Sequence, residues 1–378
     1  MNNPKRNTFK LLALALALGA VSLPAFASGD DDDDGFRAGK VFTSTNAVAG
    51  NELLVYSTGK NGQLTLQTRV ATQGAGTGTG LGNQGSVTLS GDGRHLFVVN
   101  ALSNTVSTFA VGRNRLTLQS TVDSGGLRPI SVTEHEGVVY VLNANGAGNI
   151  AGFRNAQGVL TPLAGSSRPL SAAGGTGSAQ VGFSPDGDVL LVTEKGTNKL
   201  SSYRVRDDGT TDAPVVTASA GVTPFGFAFD RRGHALVSEA FGGAVNASAV
   251  SSYGFGVPTP ASPAVISASV GTTQTAACWV VVTPNGRYAY VTNTGSGTIS
   301  SYAVQKSGKL TLTLAQPIAA TAGAGPIDAA LSASGGHLFV LNSGSRTISS
   351  FSVAKDGSLA NPGSVSGLPV DANGLAAN

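Results

Sequence analysis

The sequence predicts an all-β fold, because short apolar runs and Ser/Thr/Val-rich segments alternate along it and are separated by Gly-containing turns. Seven of the apolar runs end in Asn or Glu, at Asn46, Asn100, Asn143, Glu194, Glu239, Asn293 and Asn342. Consecutive end residues are 43 to 54 positions apart, close to the roughly 40 to 50 residues that a four-stranded propeller blade occupies. The repeat therefore predicts a seven-bladed β-propeller of four-stranded blades.

Each blade is predicted to contain its strands in the same order. The first, innermost strand is represented by residues 87–90, and the turn at residues 91–93 supplies the positive φ that a β-hairpin needs. The second strand is the apolar run, whose composition fits a strand covered on both faces by neighbouring blades. Residues 104–111 represent the third strand, and the weaker segment from Leu116 represents the outer, fourth strand.

The end of the chain is predicted to close the ring. The first blade has no innermost strand before Val41, and residues 369–377 resemble an innermost strand that has no blade of its own. We predict that this segment pairs inside blade 1, because closure removes the unpaired strand edges of an open ring. The predicted propeller spans residues 41–378.

The N-terminal residues have the composition of a secretory signal peptide over positions 1–27. Lys5, Arg6 and Lys10 precede a short apolar stretch and a small-residue cleavage site that ends at Ala27. The apolar stretch is too short to span a bilayer, so we expect a periplasmic or secreted protein without membrane insertion. Residues 28–40 contain five aspartates at positions 30–34 and are predicted to be a disordered acidic linker, with a loose cation-binding tail as the alternative.

The charge and cysteine content exclude several classes of protein. Removing the leader would lower the formal net charge from +3 to zero, since it holds three of the 24 basic residues and none of the 21 acidic ones. A neutral surface argues against nucleic acid as a partner. Cys278 is the single cysteine, so no intrachain disulfide can form, and no His, Asp and Glu residues have metal-ligand spacing. We expect a monomer with no cofactor and no catalytic metal.

The repeat motifs resemble those of a known family. Ser-Pro-Asp-Gly hairpins such as residues 184–187, second strands that end in Val-Thr-Asn or Val-Val-Asn, and third strands such as residues 105–109 resemble the seven-bladed β-propeller lactonases. That family includes 6-phosphogluconolactonase and carboxymuconate-cyclising enzymes, and related Tyr-Val-Thr-Asn repeats also occur in surface proteins with no known chemistry. The resemblance implies a seven-bladed ring with any active site at one mouth of the central channel, built from His, Arg and Glu side chains.

The repeat also predicts which residues share a face. The starts of the first strands and the ends of the second strands must lie together, because a hairpin connects these strands. We call this side the mouth face and the opposite side, which carries the hairpins, the hairpin face. The mouth face is predicted to carry candidate site residues of blades 4 to 7, namely Gln180, Glu194, Glu239, Trp279 and Asp328, with Arg128, Arg168 and Lys195 nearby in loops.

The four histidines are predicted to lie on the hairpin face. His95, His234 and His337 each stand five residues before the end of a second strand, and His135 lies in the equivalent hairpin of blade 3. The family resemblance implies a catalytic histidine, but none of these four is predicted to reach the mouth face. They are interpreted as hairpin residues.

Three carboxylates are the candidate catalytic residues. Glu194 and Glu239 replace Asn at two second-strand ends, where they would either accept backbone N–H bonds in a tight turn or act as a general base on a lactone carbonyl. Asp328 would either accept N–H bonds from neighbouring strands or serve as an acid, a base or a ligand contact.

Four further residues are candidates for substrate binding. Arg128 or Arg168 could hold a substrate carboxylate in a bidentate fork. Trp279 would either stack on a sugar or plug the channel. Gln180 lies beside them on the predicted mouth face.

Two functions remain open from the sequence. The first is a secreted hydrolase of a lactone or related cyclic ester, which uses the acids of the mouth face and an arginine clamp. The second is a non-catalytic propeller that binds a glycan, a peptide or a cell-envelope partner through the long loops at residues 164–177 and 240–249. Fold alone does not decide between them.

Overall fold

A computed structural model describes residues 39–256, 262–314 and 317–378. The predicted signal peptide and the aspartates at positions 30–34 lie outside these residues. The first strand begins at Lys40, one residue before the predicted start of the propeller. No helix in the described part of the chain is long and apolar enough to cross a membrane.

The described residues form thirty strands in seven sheets, one sheet for each predicted blade. Blade 1 contains β1 (Lys40–Ser44), β2 (Glu52–Thr58), β3 (Leu64–Ala71) and the last strand, β30 (Asn373–Ala377). Blade 2 contains β4 (Val87–Leu89), β5 (His95–Asn100), β6 (Thr105–Val111) and β7 (Leu116–Asp123). Blade 3 contains β8 (Leu127–His135), β9 (Val138–Asn145), β10 (Asn149–Ala156), β11 (Val159–Pro162) and β12 (Arg168–Pro169).

The remaining four blades repeat this arrangement. Blade 4 contains β13 (Ser178–Phe183), β14 (Val189–Glu194), β15 (Lys199–Arg204) and β16 (Val215–Ala218). Blade 5 contains β17 (Pro224–Phe229), β18 (Ala235–Glu239), β19 (Ala249–Gly254) and β20 (Ala264–Gly271). Blade 6 contains β21 (Ala277–Val282), β22 (Tyr288–Asn293), β23 (Thr298–Val304), β24 (Leu310–Leu312) and β25 (Ala320–Thr321). Blade 7 contains β26 (Pro326–Leu331), β27 (His337–Asn342), β28 (Thr347–Val353) and β29 (Leu359–Ser366).

The predicted strand order is confirmed in every blade. Within a blade the strands pair antiparallel in the order first, second, third, fourth, and the apolar runs are the second strands. The hairpins between first and second strands close as the sequence predicts: in blade 4 the Gly187 N–H donates to the Ser184 carbonyl at 2.9 Å. Gly187 has φ +78°, a conformation that glycine adopts without strain.

Two outer edges depart from the simple repeat. In blade 3 the predicted loop at residues 164–177 contains β12, which pairs with β10 and adds a fifth strand. In blade 6 both β24 and β25 pair with β23, so two short pieces share the position of the fourth strand. The predicted insertion of blade 5 begins with a short 3-10 helix, Phe241–Gly243.

The C-terminal strand closes the ring, as predicted, although it is shorter than residues 369–377. β30 pairs with β1 and takes the innermost position of blade 1. The Ser44 hydroxyl donates to the Asn373 carbonyl at 2.8 Å, and the Asn378 N–H donates to the Lys40 carbonyl at 3.0 Å. The two ends of the propeller therefore meet in one sheet.

The hydrophobic core lies between the blades. Second-strand residues such as Phe97, Leu190 and Phe339 are fully buried, and most of the apolar clusters join residues of adjacent blades. Buried tyrosines add directed bonds: the Tyr140 hydroxyl donates to the Gly209 carbonyl of blade 4 at 2.9 Å, and Tyr290 makes the equivalent bond to Gly357 of blade 7 at 2.8 Å. Blades 3 and 6 are thus each fixed to the turn between the third and fourth strands of the next blade.

The histidines lie on the hairpin face, as predicted, and all four pack against the next blade, His135 against Gly187 of blade 4. A Cβ atom built on Gly62 of blade 1 would lie 2.6 Å from Cδ2 of His337, and one on Gly308 of blade 6 would lie 2.8 Å from Cγ of His234. His95 is placed in the same way against Gly158 of blade 3. Each imidazole covers a positive-φ glycine of the next blade, which is a packing role.

Candidate functional site

The strand register places the mouth face where the sequence predicts it. In blade 4, Ser178 at the start of the first strand pairs with Glu194 at the end of the second, and in blade 7 Pro326 pairs with Asn342. The register shifts by one residue directly before Gln180, Trp279 and Asp328. A bulge of this kind re-aims the side chain that follows it. These three candidates therefore occupy equivalent positions beside the channel.

Glu194 is fully buried and its carboxylate is surrounded by donors. Oε1 accepts from the Ser171 N–H at 3.0 Å and the Ser201 hydroxyl at 2.7 Å. Oε2 accepts from the Thr197 hydroxyl at 2.9 Å and from the Ser171 hydroxyl. The carboxylate ties the connection that enters blade 4 to the second and third strands of that blade.

Glu239 has the same arrangement one blade later. Its Oε1 accepts from the Gly221 N–H at 2.8 Å and from the Ser251 hydroxyl, and its Oε2 accepts from the Ser269 hydroxyl at 2.7 Å. The side chain has no exposed surface. Both glutamates accept backbone N–H bonds at a strand end, which is the first of the two roles predicted for them. The second, a catalytic role, stays a prediction.

The asparagines at the equivalent strand ends show why Asn and Glu can exchange there. Asn293 Nδ2 donates to the Ser300 hydroxyl at 3.0 Å, and Asn342 Nδ2 donates to the Ser349 hydroxyl at 3.0 Å. Ser300 and Ser349 match Ser201 in their blades. A hydroxyl both donates and accepts, so it accepts from an amide and donates to a carboxylate in the same place.

Asp328 is 3% exposed and bonds to backbone groups of two innermost strands. It accepts from the N–H of Ala329 at 2.8 Å and from the N–H of Leu375 in β30. Burial raises the pKa of Asp328 well above its ordinary value, and the two N–H donors offset this only in part. The carboxyl group therefore helps to fix the closing strand, and it is also a candidate acid.

Two glutamine side chains bond to the backbone of an innermost strand in another blade. Gln180 pairs with the backbone of Phe227 in blade 5: its Nε2 donates to the Phe227 carbonyl at 3.0 Å and its Oε1 accepts the Phe227 N–H at 2.7 Å. Gln84 of blade 2 pairs in the same way with Val280 of blade 6, at 2.8 and 3.2 Å. Each glutamine amide donates one hydrogen bond and accepts one, as the backbone of a paired strand would.

Residues 81–85 form a plug across the channel, and Trp279 packs against it. The Gln84 N–H donates to the Ala179 carbonyl at 3.1 Å and the Asn83 amide donates to the Ile130 carbonyl, so the plug is bonded to blades 3, 4 and 6. Trp279 is 4% exposed, and its indole N–H donates to the Asn83 carbonyl at 2.8 Å. Trp279 thus packs into the plug of the channel and offers little ring surface on which a sugar could stack.

The two candidate arginines differ in what they contact. Arg168 belongs to β12, and its guanidinium donates to backbone carbonyls, among them Thr211 at 2.8 Å and Gly165 at 2.7 Å. Its donors therefore hold the outer parts of blades 3 and 4 together. Arg128 belongs to β8 rather than to a loop and has φ +56°. Within the described residues its guanidinium has no hydrogen bond and no ion pair.

Lys195 is the mouth-face residue that the candidate set does not include. Its ammonium group donates to the Gly82 carbonyl of the plug and lies 4.3 Å from the centre of the Phe225 ring. Burial lowers the pKa of Lys195 to about 8, with a smaller contribution from the positive charge of Arg128. In the described part of the chain, no carboxylate forms an ion pair with either cation.

The plug is the feature that sequence reasoning missed, whereas Lys195 is predicted near the mouth but without a role. The Gly-rich residues 74–82 indicate a loop before blade 2, and the length of this connection is the available signal for the plug. Lys195 directly follows Glu194 in the sequence, but nothing in the repeat indicates that its side chain reaches the plug. Within the described residues the mouth thus carries two cations without a partner carboxylate, and one of them, Lys195, lies over the Phe225 ring.

The described residues contain no group of three or more His, Cys, Asp and Glu side chains placed to hold a metal ion. Cys278 is 6% exposed, and burial raises the pKa of its thiol to about 11. A thiol in this state is a poor nucleophile at neutral pH, because the thiolate is the reactive form.

Comparison with known proteins identifies the family. The family model described as a lactonase with a seven-bladed β-propeller matches residues 49–169, 149–240 and 259–375. These segments cover most of the chain, so the protein belongs to the seven-bladed β-propeller lactonase family. No protein with a curated description matches the sequence.

Solved structures share the fold at low sequence identity. The periplasmic gluconolactonase of Pseudomonas aeruginosa is 21% identical with a TM-score of 0.68, over 89% of this chain and 98% of that one. A protein from Lactobacillus plantarum is 20% identical with a TM-score of 0.73, over 91% and 100%. A candidate 6-phosphogluconolactonase from Bacteroides uniformis is 18% identical with a TM-score of 0.70, over 89% and 98%. At these identities the likeness establishes the fold alone.

Proposed function

We propose that this member of the lactonase family binds a small sugar acid, or the lactone of one, at the mouth face through Arg128 and Lys195. The observation that carries the proposal is a pair of partly buried cations with no partner carboxylate in the described residues. A charge withdrawn from water requires a counter-charge, and a guanidinium binds a carboxylate or a phosphate in a bidentate fork. The similar gluconolactonase favours a sugar acid as the source of that anion.

Binding calorimetry with gluconate and 6-phosphogluconate, and with glucose as the neutral control, tests this proposal. We expect one anion per chain and no binding of glucose. Arg128→Gln and Lys195→Gln should each weaken anion binding by about tenfold or more, since a lost charge-assisted hydrogen bond costs about 1.5–3 kcal/mol. Lys355→Gln on the hairpin face is the matched control. Glucose bound as tightly as gluconate, or binding that Arg128→Gln leaves unchanged, would contradict the proposal.

The pH dependence of binding has a defined sign. Lys195 carries its charge below its pKa of about 8 and loses it above. The dissociation constant for gluconate should therefore rise as the pH increases through 8, by up to about tenfold per pH unit if the ammonium is essential. Lys195→Gln should remove this dependence. A dissociation constant that is the same at both ends of the range would assign the anion to Arg128 alone.

Hydrolysis of a bound lactone is the second candidate function, favoured by the family. The oxygens of Glu194 and Glu239 already accept hydrogen bonds from several donors, whereas Lys195 has a pKa of about 8. A group with a pKa near the working pH is suited to act as a general base. We propose that any hydrolysis uses neutral Lys195 to activate water while Arg128 holds the substrate.

A pH-stat assay with glucono-lactone separates these functions. If Lys195 is the base, the rate should rise as the pH increases through 8, opposite to binding, and Lys195→Met should abolish it. Loss of hydrolysis in Glu194→Gln, Glu239→Gln or Asp328→Asn, with anion binding retained, would assign catalysis to the carboxylates instead. If the protein does not hydrolyse the lactone faster than the spontaneous reaction, the hydrolase function is contradicted and the binding function stands alone.

We also propose that the protein is exported. The support is the signal-like composition of residues 1–27. Fractionation of cells that express the full chain tests this proposal. A mature protein that begins near residue 28 in the periplasm or the medium is expected, and an uncleaved cytoplasmic protein would contradict it.

A further inference from the structure

A cavity lies at the end of the channel that opens on the hairpin face, on the opposite side of the plug from Lys195 and Arg128. It has a volume of about 460 Å³, and its lining runs from Gln84 and Gln180 at the plug to Phe183, Pro185 and Phe229 at the hairpin face. The plug separates it from Lys195 and Arg128, so it is distinct from the proposed anion site. Its volume lies within the range of about 300–1,000 Å³ that small-molecule sites occupy.

The lining carries no charge among the described residues. Apolar side chains such as Val181, Val281 and Leu331 line it together with Thr88 and Thr133. A charged ligand would lose its water here and gain no counter-charge, which is costly. Hydrocarbon surface, by contrast, is stabilised when it leaves water for such a cavity. The lining therefore favours neutral molecules that combine hydrocarbon surface with a polar group.

The inner end of the cavity still offers hydrogen-bond donors. A Gln side-chain amide has two N–H groups. Gln84 uses one on the Val280 carbonyl and Gln180 uses one on the Phe227 carbonyl. The bonds to both ends of each amide fix which end is nitrogen. Within the described residues the second N–H of each amide has no acceptor, and both side chains line the cavity.

We propose that this cavity binds a neutral, mainly hydrocarbon molecule that carries a carbonyl oxygen, such as a ketone or an uncharged ester. The apolar walls would take the hydrocarbon part. The amides of Gln84 and Gln180 would donate to the oxygen. A carbonyl satisfies these donors without bringing a charge into the cavity.

Fluorescence titration of the full-length protein with Prodan, a neutral naphthyl ketone, tests the proposal. We expect saturable binding of one dye per chain, with emission shifted by transfer to an apolar site that hydrogen-bonds the ketone. The analogue in which the acyl group is reduced to an alkyl chain should bind about tenfold or more weakly, and so should an analogue that carries a carboxylate. Equal affinity for all three dyes, or no saturable binding, would overturn the proposal.

Variants locate the bound dye. Ala228 lines the cavity, and Ala228→Leu should reduce Prodan affinity by about tenfold or more by filling part of the volume. Arg128→Gln should leave Prodan affinity unchanged, because the Arg128 guanidinium makes no hydrogen bond within the described residues. Failure of the sugar-acid proposal would therefore not decide this one. Val245→Leu, at a residue that is 78% exposed on the mouth face, is the size control. If Ala228→Leu folds and binds Prodan with unchanged affinity, the proposal is overturned. If the variant does not fold, the comparison of the three dyes on the wild-type protein decides the proposal.

Discussion

At the scale of single residues, the ends of the second strands show how one structural role accepts two chemistries. Glu194 and Glu239 accept hydrogen bonds where Asn293 and Asn342 donate them, and the neighbouring serine hydroxyls adapt to either. A buried carboxylate in a lactonase-family propeller is therefore not by itself evidence of catalysis. To act as a base, such a carboxylate also needs an oxygen lone pair that no structural donor occupies.

Substitutions of Glu239 test this structural role. In Glu239→Gln the new amide can donate to the Ser269 hydroxyl, which then accepts, so the unfolding free energy should fall by less than about 1 kcal/mol. Glu239→Leu leaves the Gly221 N–H and two hydroxyls unpaired, and each buried unpaired group costs about 1–3 kcal/mol. Urea denaturation measures both changes. Equal losses in the two variants would contradict the exchange of donor and acceptor.

Asp328 should make stability depend on pH. Its pKa is raised by burial, so the folded protein holds a proton that the unfolded chain releases above its ordinary pKa of about 4. The unfolding free energy should therefore fall as the pH rises from about 4 to the raised pKa. Asp328→Asn has no such titration, and its stability relative to the wild type should increase over that range. Urea denaturation at several pH values measures this difference, and a constant difference would contradict the assignment.

At the scale of elements, the plug determines what the channel can do. Residues 81–85 leave the innermost layer of blade 2, which reduces β4 to three residues, and bond to three other blades. The channel is consequently divided into a mouth with two cations and an uncharged cavity.

The single thiol reports whether the plug is closed. Cys278 lies in the same cluster as Trp279 and Phe225, and in the wild type its reaction with DTNB should be slow because burial limits both access and thiolate formation. Trp279→Ala removes the indole that contacts Asn83 and should therefore lower the free energy of local opening around Cys278. A decrease of about 1.4 kcal/mol would speed the reaction with DTNB about tenfold. Trp279→Phe keeps most of the ring volume and serves as the control. Unchanged rates in Trp279→Ala would show that the indole does not limit access.

At the scale of the whole molecule, stability depends on the closure of the ring. β30 supplies the innermost strand of blade 1 and also contacts blades 2 and 7, since Asn373 accepts from the Ser86 hydroxyl at 2.9 Å and Leu375 donates to Asp328. Without it, β1 would expose an unpaired edge to other chains. The last strand therefore connects the last blade of the ring to the first two.

Removal of residues 368–378 should lower the melting temperature by more than about 10 °C, or cause aggregation, because several kcal/mol of strand pairing and packing are lost. Differential scanning calorimetry measures this change. Deletion of residues 28–38, an equally long segment, is the control. A permuted chain that carries residues 368–378 ahead of Gly39, joined by a short glycine turn, should regain the melting temperature because Asn378 already bonds to Lys40. An unchanged melting temperature after truncation would contradict closure.

The sequence by itself determined the number of blades, the strand order and the closure of the ring. Hairpin turns and strand periodicity are local properties, and a fixed repeat carries them around the ring. Only the tertiary structure decided what the side chains contact. Ser171 reaches Glu194 from 23 positions away, and Gln84 reaches Val280 from 196 positions away. Contacts between blades depend on three-dimensional packing that no local pattern encodes, so the contacts of Lys195, the plug and the cavity behind it emerged from the structure alone.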